Sequence, residues 1–434
     1  MNEVMIGVVG LFVLLALFLT GIELGFAMAV VGFVGFAYIR GLSPAFGVAS
    51  SDFFDVFSSY GLTVIPLFVF MGQIAFNAGI AKKLYESAHR FVGHIPGGLG
   101  IATVVGATLF KAICGSSTAT SATFASVAVP EMERYHYSKM LSTGTVATVG
   151  TLGVLIPPSV VLIIFGLLTE QSIGKLFLAG IIPGLIIALF FIGIIIGWAK
   201  INPATAPAGP KSSWPERWRS LPEVIWPLII FFVVMGGLMK GFFTPTEAGS
   251  VGTFAVIVLV LLKRNLTFKD YVKSVAESLR TACMVLMLIA GSTVMGHFLA
   301  VTKIPMLASN WIVGLPVSNN VVMVLIILLY LLGGSFIDDL AFMVLATPII
   351  FPAAMKLGYD PIWFGMMVAI SMMIGAIIPP VAINVFIVKN ITKVPSNIIY
   401  KGVYPFLIAL VVATALLFMF PQIALWLPSV YSGQ

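Results

Sequence analysis

The sequence predicts an all-α integral membrane protein in which two halves of the chain repeat one plan, the second half inverted. Three observations carry this. Charged residues are only 9% of the chain against 60% hydrophobic, with a mean hydropathy of +1.11, where a soluble domain has about 25% charged residues. Apolar runs such as Val4–Leu19, Leu176–Trp198 and Val321–Leu332 approach the ~20 residues that span a bilayer core. Four landmarks recur in the same order at offsets of 219, 222, 222 and 224: Gly115-Ser116 with Gly334-Ser335, Pro157-Pro158 with Pro379-Pro380, Gly180-x-x-Pro183 with Gly402-x-x-Pro405, and Thr20-x-x-Glu23-x-Gly25 with Thr244-x-x-Glu247-x-Gly249. Internal repeats of this kind define an architecture before any single element does.

Taken in order, the first half (1–199) has expected crossings at 4–20, 24–39, 62–80, 142–169 and 176–199. The second half (224–434) has them at 224–239, 248–262, 281–301, 361–391 and 403–426. Between the third and fourth crossing of each half lie two short apolar arms around a Gly-Ser tip, 99–130 and 321–355. Each arm is marginal for a full span, so each pair reads as a re-entrant hairpin. Five crossings per half, an odd number, force the second half to insert upside down. The Pro-rich segment 200–223 reads as a cytoplasmic linker, with Trp214 and Trp218 at headgroup level. Segments Ser50–Tyr60 and Phe268–Leu279 read as amphipathic surface helices or short soluble loops. Glu3 precedes the first apolar run where a cleavable signal would carry basic residues, so no signal peptide is expected.

Charge gives an independent test. The net charge of +7 comes from basic residues scattered through inter-helix loops, a topology signal rather than a nucleic-acid patch. Under the proposed topology 17 basic residues fall on one face and 5 on the other, with Lys111 inside a hairpin. Both termini are therefore expected outside the cytoplasm. Cys114 and Cys283 both lie in apolar segments, which supports neither a disulfide framework nor a metal site.

The first tip reads Cys114-Gly115-Ser116-Ser117-Thr118-Ala119-Thr120-Ser121. Non-helical backbone at membrane depth is tolerated only where it lines a cavity or is buried in protein. Small hydroxyl side chains add neutral oxygen ligands for a hard cation such as Na⁺, and half-helix N-termini offer amides to an anion. Close packing of small residues is the plainer alternative. The second tip, Gly333-Gly334-Ser335-Phe336-Ile337-Asp338-Asp339, places two carboxylates in an apolar run, where ionisable groups are functional by default. One can face a cation while the other caps the outgoing helix; Asp338 is favoured near the cation or as the cap, without being separated from Asp339. The Pro-Pro pairs should break the fourth crossings and free upstream carbonyls. Those near Gly150-Thr151-Leu152-Gly153 and Ile374-Gly375-Ala376 would complete cation sites, unless the pairs are simple kinks. Thr148, Thr151, Ser159, Ser371 and Asn384 lie nearby.

Other polar residues take plainer readings. Thr20/Glu23 and Thr244/Glu247 match capping boxes. His297 reads as a hydrogen-bonded packing residue, and His89, His94 and His136 as loop residues. Lys111 either attracts an anionic substrate or snorkels to the cytoplasmic face.

Together these stretches resemble the large membrane subunit of the tripartite ATP-independent periplasmic (TRAP) transporters over essentially the whole chain. The resemblance is carried by Gly115-Ser116-Ser117-x-Ala119-Thr120, Val129-Pro130-Glu131-Met132, Gly150-x-x-Gly153-x-x-Ile156-Pro157-Pro158-Ser159, Gly334-x-x-x-Asp338, Thr347-Pro348-x-x-x-Pro352 and Asp360-Pro361-x-Trp363-Phe364-Gly365. It implies a secondary transporter of the bacterial inner membrane, not an enzyme, driven by Na⁺ and needing no other cofactor. It also implies a small organic anion (a C4-dicarboxylate, sialic acid or related carboxylate) delivered by a periplasmic binding protein, a small four-helix membrane subunit as partner, and an elevator-type motion of the hairpin-bearing domain. The expected Na⁺ ligands are Gly115, Ser116, Ser117, Gly150, Thr151, Gly153, Gly334, Ser335, Asp338, Gly375 and Ala376. Expected substrate contacts are Thr118, Thr120, Pro157, Pro158, Ser159, Asp339, Pro379, Pro380, Asn384 and Lys111. The chain departs from the family at Ile378-Pro379-Pro380-Val381-Ala382, where a hydroxyl before the prolines is usual, and at Lys111 and Cys114, where small neutral residues are expected. A self-sufficient Na⁺/dicarboxylate symporter, a passive channel and an intramembrane enzyme using Asp338 and Asp339 are the competing readings.

Overall fold

The computed structural model describes residues 2–432, and every regular element among them is an α-helix or a short 3₁₀ turn. The chain opens with α1 (Glu3–Leu19) and α2 (Leu24–Arg40). Next come α3 (Leu42–Ser58) and α4 (Val64–Asn77), joined by a 3₁₀ turn at Gly61–Thr63 and bent by 55° at that break. The expected surface segment Ser50–Tyr60 is thus mostly the end of α3. α5 (Ile80–Val92) is a helix where a loop is expected around His89. It buries Ile80, Leu84, Tyr85 and Ala88 on one face, which places His89 on a helix.

The first hairpin is formed by α6 (Gly98–Lys111) and α7 (Ser117–Arg134). The following crossing is broken as expected: α8 (Lys139–Val149), a 3₁₀ segment at Gly150–Val154, the Pro157-Pro158 pair, then α9 (Val160–Leu168). α10 (Ile173–Ile201) closes the first half. The linker is shorter than expected, because α11 (Trp214–Met239) starts at a Ser213/Glu216 capping box and runs unbroken into the next apolar span. Trp214 and Trp218 are exposed on that helix.

α12 (Pro245–Lys263) is followed by α13 (Phe268–Thr302), 35 residues without a break. The segment 268–279, expected as a separate surface element, is the first part of α13. A Thr267/Asp270 capping box starts it and no proline interrupts it. At 1.5 Å per residue it is about 50 Å long, so it overshoots the ~30 Å hydrocarbon layer. Then follow α14 (Ile304–Val313), α15 (Asn319–Phe336) and α16 (Asp339–Lys356), the last two being the arms of the second hairpin. Each of these arms has 18 residues and is apolar enough to cross a membrane by length alone, so they are less marginal than expected. α17 (Pro361–Gly375) and α18 (Ile383–Thr392) flank Pro379-Pro380, and α19 (Ser396–Met419) and α20 (Gln422–Ser432) end the described chain. Both Pro-Pro bonds are cis.

Among the described residues seven helices are long and apolar enough to span a bilayer, eight if the bent α3–α4 pair counts as one span. The chain is a multi-pass membrane protein. Packing uses small residues where backbones cross. A Cβ added to Gly25 or Gly32 of α2 would lie 2.9 Å from Leu288 Cα and 2.7 Å from Met295 Cα of α13, the most extensive helix pair. Such close crossings replace hydrophobic driving force inside a membrane. The two broken segments also meet, because α17 contacts the 3₁₀ segment and α18 packs on α8.

The two capping-box expectations part company. At Thr244, the hydroxyl accepts from the Glu247 amide at 3.3 Å and the Glu247 carboxylate accepts from the Thr244 amide at 2.8 Å. At Thr20 no box forms. Thr20 is the C-cap of α1 and donates back to the Leu17 carbonyl at 2.6 Å, while Glu23 occupies the N-cap of α2 without a side-chain bond. Thr244→Ala should therefore lower the unfolding temperature in detergent by a few degrees, while Thr20→Ala leaves it unchanged. His297 does make a packing hydrogen bond, 3.2 Å to Asp52 of α3.

Candidate functional site

A cavity of about 450 Å³ opens between the two hairpins and a wall made by α4 and α13. Both tips line it: Cys114, Gly115, Ser116, Ser117, Thr118 and Ala119 from the first, Asp338, Asp339 and Leu340 from the second. These residues are 219 or more positions apart in some pairings, yet they share one space because α7 and α16 both start there. Ser116 is the N-cap of α7, its hydroxyl accepting from Ala119 N–H at 3.2 Å and lying 3.1 Å from the Thr118 hydroxyl. Asp338 is the N-cap of α16. Its carboxylate accepts from Leu340 N–H at 3.2 Å, and Asp339 accepts from the same amide at 2.9 Å. The first residues of α9, Val160 and Val161, complete the set. Three helix N-termini, each a positive dipole end, therefore face one cavity.

The remaining expected residues sit behind the tips. Gly115 packs against the Pro158 carbonyl, with no room for a Cβ. Gly150 is pressed against Ser121, and Thr151 spends its hydroxyl on the Thr148 carbonyl at 2.8 Å. Ser159 caps α9, donating to Val154 O at 2.6 Å. Thr120 is buried and donates to the Ser116 carbonyl at 3.0 Å. Pro157, Pro158 and Ser159 are fully enclosed and do not reach the cavity wall. In the second half, Gly334 abuts Gly375, and the Ser335 carbonyl accepts from Val381 N–H at 3.1 Å. The Ala376 carbonyl accepts from Asn384 N–H at 3.2 Å. Pro379 and Pro380, by contrast with the first pair, are exposed. Neither Gly334, Ser335, Gly375, Ala376 nor Asn384 lines the cavity. Among the described residues, three buried polar atoms near the breaks lack hydrogen-bond partners: Ser121 Oγ, Thr145 Oγ1 and Asn384 Nδ2.

Lys111 corrects the sequence reading. It is fully buried, so it does not snorkel, and it is not in the cavity wall, so it offers no direct contact to an anion there. Its ammonium donates to the Ser116 carbonyl at 2.6 Å and rests on Gly153, where a Cβ would collide with Nζ.

The sequence reading missed the opposite wall. Gln73 of α4 and Glu277 and Thr281 of α13 line the cavity, and Asn77 Nδ2 donates to Glu277 at 3.2 Å. The available signal was the spacing: Gln73 and Asn77, and Glu277 and Thr281, are i,i+4 pairs that share a helix face. Treating 268–279 as a surface element hid it. The cavity wall thus carries three carboxylates, Glu277, Asp338 and Asp339, and no basic side chain among the described residues.

Residues 11–423 match the family model described as "Tripartite ATP-independent periplasmic transporter, DctM component". The C4-dicarboxylate TRAP transporter large permease protein DctM of Pseudomonas aeruginosa is 34% identical over 377 residues, covering 87% of this chain and 88% of its own length. The sialic acid TRAP transporter large permease protein SiaM of Vibrio cholerae is 31% identical over 427 residues, covering 96% and 97%. Among solved structures, the YdaH transporter of Alcanivorax borkumensis superimposes with a TM-score of 0.62 at 13% identity, over 87% of this chain and 88% of that one. The relatives are permeases rather than enzymes, which removes the intramembrane-enzyme reading of Asp338 and Asp339. With a family model matched over nearly its whole length, this chain belongs to the DctM family of TRAP transporter large permeases.

Proposed function

We propose that this permease imports a small organic anion together with Na⁺ across the bacterial inner membrane, working with a small membrane subunit and a periplasmic binding protein. The observation that carries the proposal is the cavity shared by the two hairpin tips. Its chemistry is otherwise paradoxical for an organic anion: three carboxylates and no lysine or arginine line it. Helix N-termini attract an anion, but fixed carboxylates repel it unless a cation lies between. A coupling Na⁺ resolves the conflict, and its binding order explains why anion and cation move together. Relatives are named for C4-dicarboxylate, sialic acid and 2,3-diketo-L-gulonate, which are carboxylates, and for isethionate, a sulfonate; all are small organic anions.

In this reading residues 1–199 and 224–434 are inverted repeats, each supplying one hairpin and one broken helix, and the hairpins and breaks move as an elevator against the remaining helices. Both termini lie in the periplasm. Asp338, Ser116 and Ser117 contribute to cation sites, with Gly115, Gly150, Thr151, Gly153, Gly334, Ser335, Gly375 and Ala376 supplying or positioning carbonyls. Thr118 and Asp339 face the anion.

The test is uptake into proteoliposomes holding this permease and its small subunit, with a C4-dicarboxylate and sialic acid offered separately. The expected result is accumulation that needs both an inward Na⁺ gradient and the binding protein. Equal uptake without the binding protein would favour the self-sufficient symporter, and flux indifferent to the Na⁺ gradient a passive channel.

A further inference from the structure

Lys111 stands where no mobile cation can also stand. It ends α6, the incoming arm of the first hairpin, at the negative end of that helix. The side chain then folds back across the tip, and the ammonium donates to the carbonyl of Ser116 at 2.6 Å. That carbonyl belongs to the residue that starts α7, and it also accepts from Thr120 N–H at 3.3 Å and Thr120 Oγ1 at 3.0 Å. Gly153, in the 3₁₀ segment of the broken crossing, leaves the space the ammonium fills, since any Cβ there would collide with Nζ. The Lys111 charge is thus held between the hairpin tip and the helix break, the two elements expected to share a cation. A lysine ammonium is a compact point charge with three donors, and burying it without a partner is costly. Here its partner is a tip carbonyl rather than an acid.

We propose that the Lys111 ammonium is a built-in cation that holds the place of one Na⁺ at the first hairpin tip. The permease therefore takes one Na⁺ fewer than it would with a small neutral residue at this position. This rests on the Na⁺-coupled reading for its consequence in transport, while the ion count tests it independently of that reading.

The experiment measures ²²Na⁺ binding to the purified, detergent-solubilised permease at saturating Na⁺, for the native chain, Lys111→Ala and Lys111→Met. Lys111→Ala removes the charge and opens the space, so it should bind one Na⁺ more per chain than the native protein. Lys111→Met fills the same space without charge, so it should gain none and should transport at least tenfold more slowly. An unchanged Na⁺ count in folded Lys111→Ala overturns the proposal. So does native-level transport by Lys111→Met, a readout that stands if the alanine variant does not fold. If the native chain binds no Na⁺ and transports without a gradient, the coupling reading fails. A single Na⁺ gained by Lys111→Ala would still support the place-holder in that case.

Discussion

Asp338→Asn is expected to reduce Na⁺-driven uptake by about 10- to 140-fold while leaving the folded protein intact. The two halves of that statement come from two roles of one side chain. As N-cap of α16, Asp338 accepts from Leu340 N–H at 3.2 Å. Asparagine caps a helix about as well as aspartate does, so the start of α16 survives the substitution. As a wall of the shared cavity, Asp338 also supplies negative charge where a coupling cation is needed. Interactions with a charged group contribute about 1.5–3 kcal/mol, which at ~1.4 kcal/mol per tenfold corresponds to the loss stated. The measurement is Na⁺-dependent uptake in proteoliposomes, with thermal unfolding of the same preparation as the control for folding. Asp338→Ala removes cap and charge together and should fail both assays, so the contrast between the two variants separates the roles. Asp338→Asn with native uptake and native Na⁺ affinity would mean that Asp338 is a cap alone.

How much of this was legible beforehand depended on whether the signal was local. Glycine-serine tips and proline pairs punctuate an apolar chain unmistakably, so the hairpins and breaks were placed within a few residues of α6–α7, α8–α9, α15–α16 and α17–α18. The convergence of Ser116 with Asp338 was anticipated only through the repeat. The cavity's far wall was not, because Glu277 lies in a charged stretch that reads as surface until α13 is known to be continuous. The charge of α5 concealed a helix for the same reason: its apolar face packs on α6 and α11, which no local pattern announces. Lys111 shows the limit most clearly. Its sequence offered a choice between a substrate and a surface, but its partner is the carbonyl of Ser116, fixed by how the chain turns at the tip. The Thr20/Glu23 motif matched a box in letters while Gly21, at φ +85°, had already turned the chain out of α1.

Gly375→Ala should cut transport at least tenfold, whereas Gly334→Ala, the other member of the same contact, should be tolerated. The two glycines face each other where the second tip's incoming arm α15 crosses α17, just ahead of the Pro379-Pro380 break. A Cβ built on Gly375 would lie 2.7 Å from the Gly334 carbonyl carbon and 2.9 Å from its Cα. Those are backbone atoms and cannot step aside, so α15 must move away from α17. Overpacking of this kind costs about 1–3 kcal/mol, and here the displaced arm α15 ends at Phe336, two residues before Asp338 and the start of α16. On Gly334 the new Cβ would meet Met372 Sδ first, at 3.1 Å, with backbone no nearer than 3.7 Å. A methionine thioether adapts to an intruding methyl group. Gly193→Ala and Gly197→Ala on α10, where a Cβ meets nothing within 4 Å, serve as controls and should transport like the native chain. The assay is uptake normalised to permease reconstituted, with Na⁺ affinity measured alongside. The asymmetry within the pair is the sensitive part: a general need for small residues at this crossing would penalise both substitutions alike. Damage confined to Gly375 would instead mean that the position of the second tip, held by one backbone contact, sets the geometry of the cavity.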